Sequence, residues 1–134
     1  MNAEVSKVAI VTGAACGIGY AIAKQLHQTG CRLVINDLDS DALDTACETL
    51  NDGDTPCAAV VGDAGDIGVI DQVVETAVAR FGRLDWVVAN AGITTFGRFL
   101  DYTPERFQQL VSLNLQGSFF LAQHAAQGKN CLAG

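Results

Sequence analysis

Short apolar runs and segments with helical periodicity alternate along this chain, and this alternation limits the folds open to it. The apolar runs are rich in β-branched residues and are predicted as strands buried on both faces: Val8 to Val11, Leu33 to Ile35, Ala58 to Val61 and Trp86 to Ala89. Because β-α-β units cross over with a right-handed sense, the pattern predicts an α/β fold, a doubly wound parallel sheet of about four strands with helices on both faces.

Three helices are predicted between the strands. Their inward positions are Ile18, Ile22 and Leu26 in the first, Leu43, Ala46, Cys47 and Leu50 in the second, and Ile67, Ile70, Val74, Ala77, Val78 and Phe81 in the third. Gly30 and Gly82 are predicted to follow the first and third helices, and Asp39 or Ser40 to cap the second.

A last helix is predicted after the fourth strand. Thr103 and Pro104 have the character of an N-cap followed by a first helical residue, the apolar period continues to about Gln127, and Gly128 is the expected stop. No linker or repeat interrupts the pattern, so residues 1–134 are expected to form a single domain.

Charge and cysteine content exclude several classes of function. The 134 residues carry a net charge of −7, which disfavours nucleic acid and anionic membrane surfaces as partners. No signal peptide or membrane span is apparent, so a cytoplasmic location is expected. The cysteines are odd in number, lack a C-x-x-C pair or a histidine cluster, and are interpreted as reduced, mostly buried thiols with no metal: Cys16, Cys31, Cys47, Cys57 and Cys131.

A glycine-rich segment, Thr12–Gly19, directly follows the first predicted strand and opens the first helix; we call it the glycine turn. Gly13 permits a tight turn, Gly17 lets the backbone approach a pyrophosphate, and Gly19 lets the helix pack closely on the strand. The phosphates of a dinucleotide would then lie at the positive end of the helix. The alternative is a glycine-rich turn that binds nothing.

Asp37 indicates which dinucleotide is expected. It follows the second predicted strand, 18 residues beyond Gly19, close to where dinucleotide-binding folds place an acid that accepts hydrogen bonds from the adenosine ribose. A carboxylate there repels a 2′-phosphate, and neither Cys16 nor Leu38 supplies a compensating positive charge. NAD is therefore predicted over NADP, the alternative being that Asp37 is a solvated loop acid or a helix cap.

The T-G-x-x-x-G-I-G spacing of the glycine turn, with Asn90-Ala91-Gly92 after the fourth strand, resembles the short-chain dehydrogenase/reductase family and its Rossmann-like fold. Asp63 resembles the family acid at adenine, and Asn114 its active-site asparagine. The resemblance implies hydride transfer between NAD and a small alcohol or carbonyl substrate. The cofactor-binding residues that it implies, together with those argued above, are Thr12, Gly13, Cys16, Gly17, Ile18, Gly19, Asp37, Leu38, Asp63, Ala64, Asn90, Ala91 and Gly92.

Purely structural interpretations remain open for these matches. The segment Asn90-Ala91-Gly92 could be a turn, and Asp63 could close an Asx turn. Asn114 interrupts an apolar series at a position expected to face inward, where a polar amide needs partners. Family members use this asparagine at a helix kink to hold a water beside the catalytic lysine; the alternative is a structural hydrogen bond.

The serine, tyrosine and lysine of the family chemistry are expected later in the fold than Asn114, so this sequence is predicted to be inactive alone. Tyr20 and Lys24 match Y-x-x-x-K, but they follow the pyrophosphate turn and lie far from the nicotinamide end, and we reject them as the catalytic pair. Tyr102 has Arg106, rather than a lysine, four residues on. It is interpreted as structural or substrate-lining.

Two further functions compete with that of a cofactor-binding half of an oxidoreductase: a non-catalytic NAD-binding or interaction module, and a fragment that binds nothing. An unpaired apolar edge at Trp86 to Ala89, and a helix carrying Phe119, Phe120 and Leu121, favour self-association, so a homo-oligomer is expected. Ile93 to Phe96 are expected to line the approach to the nicotinamide, but the sequence does not identify the substrate.

Overall fold

A computed structural model describes residues 6–51 and 53–133, and it confirms the predicted alternation of strands and helices. The elements in chain order are β1 (Val8–Thr12), α1 (Gly17–Gln28), β2 (Arg32–Asp37), α2 (Ser40–Leu50), β3 (Cys57–Val61), α3 (Ile67–Phe81), β4 (Trp86–Val88), a 3-10 turn (Phe99–Asp101), α4 (Pro104–Val111), a π turn (Ser112–Gly117) and α5 (Ser118–Ala133).

The four strands form one parallel sheet in the order β3-β2-β1-β4. Ile10 of β1 pairs with Val34 of β2 on one side and with Val87 of β4 on the other. The chain thus builds outward from β1 to β3 and then returns to the opposite side of β1. In such sheets ligands bind at this reversal, outside the carboxyl ends of the strands, so the doubly wound fold places a candidate site at the ends of β1 and β4.

Both faces of the inner strands are covered by helices. Val8 and Ile10 of β1 belong to a core cluster with residues of α3 and α5, while Ala9 and Val11 belong to a second cluster with residues of α1 and α2. Every residue of β1 is buried. This alternation between two clusters is the packing expected of a strand at the centre of a three-layer α/β domain.

Burial on both faces was predicted for all four strands, and for β3 and β4 the prediction is wrong. Ala59 and Val61 of β3 are exposed, Trp86 of β4 is 50% exposed, and its neighbours Val87 and Val88 are only half-buried. These two strands are the outer strands of the described sheet. An apolar run alone does not distinguish a central strand from an outer one.

Capping residues mark the helix ends largely as predicted. Asp39 caps α2 by accepting a hydrogen bond from the Ala42 amide at 3.1 Å, and Thr103 caps α4 by accepting one from the Arg106 amide at 3.2 Å. Gly82 ends α3 in the left-handed conformation, with φ at 77°. Within the described ranges, no helix combines the length and the apolar character that a membrane span requires.

Ile18 was predicted to face the core, but it is 74% exposed. It lies in the first turn of α1, where the buried position is taken by Gly19 rather than by an apolar side chain. Helical periodicity identified the correct helix, whereas the close approach of its first turn to β1 shifted the buried face.

Gly128 does not end the last helix as predicted, because α5 continues to Ala133. A Cβ placed on Gly128 would lie 3.6 Å from Val74 and 3.7 Å from Val78 of α3, so this glycine lies at a helix contact. It also lacks the positive φ of a glycine stop. The long helix is divided earlier, by the π turn.

Four cysteines are described as free thiols. Cys31 and Cys57 are buried, Cys47 is half-buried and Cys16 is exposed. Burial, with a smaller contribution from neighbouring Cys47, holds the pKa of the Cys57 thiol far above its usual value. The side chain of Cys131 lies outside the described residues.

The central position of Ile10 can be tested by truncation. Because its side chain is fully buried, Ile10→Ala should lower the free energy of unfolding by about 2–5 kcal/mol. Ile18→Ala, which removes an exposed side chain of the same type, should change it by no more than about 0.5 kcal/mol. Urea denaturation of both variants measures the difference; equal losses would contradict the assigned burial.

Candidate functional site

The glycine turn needs glycine at two positions because backbone segments meet there. A Cβ on Gly19 would lie 2.1 Å from the Gly13 carbonyl oxygen, and a Cβ on Gly13 would lie 3.0 Å from the Cα of Ala91. Gly13 also has φ at 64°, the left-handed region that other residues rarely adopt. The tight turn and the close packing of α1 on β1 are therefore both confirmed.

Gly17 differs from these two glycines because the space around it is open. It has φ at 62°, and a Cβ built there would meet nothing within 4 Å. Cys16, the N-cap of α1, supplies no side-chain hydrogen bond to the first turn. The backbone amides that open α1 are thus left uncapped beside a bare, exposed stretch of backbone, an arrangement suited to an anion.

Asp37 ends β2 and is held against the glycine turn. One of its carboxylate oxygens accepts a hydrogen bond from the Ala15 amide at 3.1 Å, and the other accepts one from the Asp39 amide at 3.2 Å. The helix cap of α2 is Asp39, so the interpretation of Asp37 as that cap is wrong. The carboxylate is half-buried at the carboxyl edge of the sheet.

The residues after β4 fasten this strand to the glycine turn. The Asn90 side chain donates a hydrogen bond to the Gly13 carbonyl at 3.1 Å, and the Ala91 amide donates one to the Thr12 hydroxyl at 3.1 Å. Thr12 is itself buried. The Asn-Ala-Gly segment is therefore the element that joins the ends of β1 and β4.

Asp63 lies in the loop that follows β3. Its Oδ1 accepts a hydrogen bond from the Gly65 amide at 2.8 Å, so the Asx turn weighed for this residue does form. The loop is also fixed by Asn36, whose amide donates to the carbonyl oxygens of Val60 at 2.9 Å and Gly62 at 3.1 Å. Sequence reasoning assigned no role to Asn36; a polar residue inside a buried strand was the available signal.

Asn114 lies in the π turn and is bound to the loop after β4. Its Oδ1 accepts from the Ile93 amide at 2.9 Å and its Nδ2 donates to the Ile93 carbonyl at 2.8 Å. The residue is exposed rather than inward-facing, which corrects the prediction. The amide finds its partners in a neighbouring loop, so the structural hydrogen bond considered for this residue is present.

These loops enclose a cleft of about 300 Å³ at the carboxyl edge of the sheet. It is lined by Gly13, Asn36, Asp37, Leu38, Gly62, Asp63, Ala64, Asn90, Ala91, Gly92, Ile93 and Leu113. Eight of the thirteen proposed cofactor-binding residues are in this lining. Of the others, Thr12 and Gly19 are buried in the turn, while Cys16, Gly17 and Ile18 form its exposed surface.

The two tyrosines of the described residues lie outside the lining of the cleft. Tyr20 packs against the core cluster shared by α1 and α2. The Tyr102 hydroxyl is hydrogen-bonded to the hydroxyl of Thr95, and the Arg106 guanidinium lies 5.6 Å from the centre of its ring.

Comparison with known proteins gives a family match over nearly the whole chain. The family model described as short chain dehydrogenase matches residues 7–129. Versicolorin reductase of Emericella nidulans is 38% identical over 120 residues, 89% of this chain. L-rhamnose-1-dehydrogenase of Scheffersomyces stipitis is 38% identical over 125 residues, 90% of this chain.

A solved structure has the same fold over most of this chain. L-sorbose reductase from Gluconobacter frateurii, complexed with NADPH and L-sorbose, superposes with a TM-score of 0.89 and 28% identity over 95% of this chain. The chain spans about half the length of the proteins it matches: 46% of versicolorin reductase, 48% of L-rhamnose-1-dehydrogenase and 49% of the L-sorbose reductase chain.

Gly19 offers a test of the packed turn. Gly19→Ala should lower the free energy of unfolding by about 1–3 kcal/mol, because the added methyl group meets the Gly13 carbonyl and the backbone must shift. Gly53→Ala is the matched control, since nothing lies within 4 Å of its added Cβ. Chemical denaturation compares the two, and an unperturbed Gly19→Ala variant would contradict the close contact.

Proposed function

This chain belongs to the short-chain dehydrogenase/reductase family, and from this premise we propose that it is the cofactor-binding half of an NAD(H)-dependent oxidoreductase. The proposed reaction transfers a hydride between the nicotinamide and the alcohol or carbonyl carbon of a small molecule. The observation that carries the proposal is the uncapped first turn of α1 beside Gly17, at the edge of a cleft whose lining includes Asp37 and Asp63.

The pyrophosphate is proposed to bind at the glycine turn. The chain has a net charge of −7, so a general positive field is not available to attract phosphates. Backbone amides and the positive end of a helix dipole provide a local attraction that does not require lysine or arginine. The bare backbone at Gly17 gives these amides an unobstructed approach.

Asp37 supports NAD over NADP. The Asp37 carboxylate is fixed by the Ala15 and Asp39 amides, and the positions that could offset its charge are Cys16 and Leu38, which are neutral. A 2′-phosphate on the ribose would be placed near an anion without a cationic partner, whereas ribose hydroxyls would find an acceptor. The L-sorbose reductase relative was solved with NADPH, so this preference is proposed from the residues of this chain.

The other proposed cofactor-binding residues are assigned to successive parts of the cofactor along the cleft. Asp63 and Ala64 are proposed to contact adenine, and Asn90, Ala91 and Gly92 to hold the cofactor where β1 and β4 meet. Asn114 is proposed to act at the nicotinamide end, where it fixes the backbone of Ile93 through two hydrogen bonds. When bound, the cofactor supplies or accepts the hydride; these residues bind and orient it.

A homo-oligomer and a cytoplasmic location are also proposed from the sequence. Supporting the oligomer, Trp86 is half-exposed on an outer strand, and Phe107, Leu115 and Phe119 on or between α4 and α5 are each more than half exposed. Such apolar surfaces favour association between chains. Size-exclusion chromatography with light scattering measures the oligomeric state.

The NAD preference can be tested with ligand titrations. NADH should bind more tightly than NADPH. Asp37→Asn, which removes the negative charge, should lower the ratio of the NADPH to the NADH dissociation constant by about tenfold, equivalent to about 1.4 kcal/mol. Asp44→Asn removes an exposed charge on α2 and should leave the ratio unchanged. Fluorescence or calorimetric titration measures both affinities.

Tighter binding of NADPH than NADH by the parent chain would contradict the assignment of Asp37. Failure of the folded chain to bind either cofactor would contradict the proposed function. The non-catalytic module is tested separately: saturable NAD binding without any hydride transfer, assayed on the complete natural polypeptide, would favour the module over the oxidoreductase.

A further inference from the structure

The π turn lies between the two loops that line the cleft, and its side chains reach both of them. Asn114 binds the backbone of Ile93 in the loop after β4. On another face of the same turn, Ser112 and Gln116 both reach the loop after β3. Residues four apart share a helix face, whereas the residue midway between them points away.

Gln116 and Ser112 converge on one carbonyl group. The Gln116 side-chain amide donates to the Gly65 carbonyl oxygen at 2.9 Å, and the Ser112 hydroxyl donates to the same oxygen at 3.3 Å. A carbonyl oxygen has two lone pairs, so these two donors complete its hydrogen bonding. Gly65 itself is buried.

The two segments are also in direct backbone contact. A Cβ on Gly117 would lie 2.3 Å from the Ala64 carbonyl oxygen, and a Cβ on Gly65 would lie 2.9 Å from the Ser112 carbonyl oxygen. Neither glycine has room for a side chain. The loop after β3 is therefore packed directly against the π turn.

Gly65 links this contact to the cleft. Its carbonyl is held by Gln116, and its amide donates to the Asp63 carboxylate at 2.8 Å. Asp63 and Ala64 line the cleft, whereas Gln116 does not. We propose that Gln116 is a positioning residue for the cofactor, which sets the Asp63 carboxylate at the adenine end through Gly65; this inference rests on the proposed function.

Substitution of Gln116 should weaken the binding of the adenine end of the cofactor, which ADP-ribose contains. Gln116→Glu keeps the length and shape of the side chain but places an acceptor against the Gly65 carbonyl, so the contact becomes repulsive. The affinity for ADP-ribose should fall about tenfold. Gln116→Ala only removes the donor, leaving Ser112 in place, and should lower the affinity about threefold.

A double-mutant cycle tests whether the effect passes through Asp63. In an Asp63→Asn background, which replaces the charged acceptor, Gln116→Glu should change ADP-ribose affinity less than twofold, because the group that it positions is already altered. Gln123→Glu, at an exposed position on α5, is the control for the added negative charge and should leave affinity within twofold of the parent.

Calorimetry on the full chain separates loss of fold from loss of positioning. Misfolding lowers the number of binding sites per chain at unchanged Kd, whereas misplacement of Asp63 raises Kd at unchanged stoichiometry. If Gln116→Glu does not fold, Gln116→Ala carries the same test. Unchanged ADP-ribose affinity in these variants, or a tenfold loss that persists in full with Asp63→Asn, would overturn the inference while leaving the proposed function intact. Absence of ADP-ribose binding by the parent chain would contradict both.

Discussion

The contact between the Gly13 carbonyl and the first turn of α1 is the constraint on which the candidate site depends. With only 2.1 Å between that oxygen and the place of a Cβ on Gly19, the helix begins directly against the end of β1. This closeness leaves the first amides of α1 at the edge of the cleft. A longer or looser connection would separate the helix end from the carboxyl ends of the strands.

Hydrogen bonds hold the glycine turn from two sides, the end of β4 and the end of β2. Asn90 binds the Gly13 carbonyl from the end of β4, Thr12 accepts the amide of Ala91, and Asp37 accepts the amide of Ala15 from the end of β2. Each hydrogen bond joins the turn to a neighbouring strand end. A preformed turn reduces the ordering cost of binding an anion, which matters in a chain whose net charge of −7 opposes anions at long range.

The π turn extends the same principle to the loops on either side of the cleft. An inserted residue in a helix changes which side chains share a face, and such insertions occur often at functional sites. Here Asn114 holds the loop after β4, while Gln116 and Ser112 hold the loop after β3. A single segment of helix thereby holds two loops that are distant from each other in sequence.

Local chemistry explains why much of this protein could be predicted from its sequence. Apolar runs, helical periods and capping groups such as Asp39 and Thr103 depend on residues a few positions apart, and the spacing of the glycine turn is itself a local pattern. These features determined the strands, most helix ends, the parallel doubly wound sheet and the place of the cleft.

Only the tertiary structure decided the features that depend on distant neighbours. Exposure of Ile18 follows from the approach of α1 to β1, and Gly128 lies within a continuous helix at a contact with α3. The hydrogen bond from Gln116 to Gly65 joins residues 51 positions apart, and that from Asn36 to Val60 joins residues 24 apart. No local sequence pattern predicts such pairs, because the partner of a side chain depends on which segments the fold brings together.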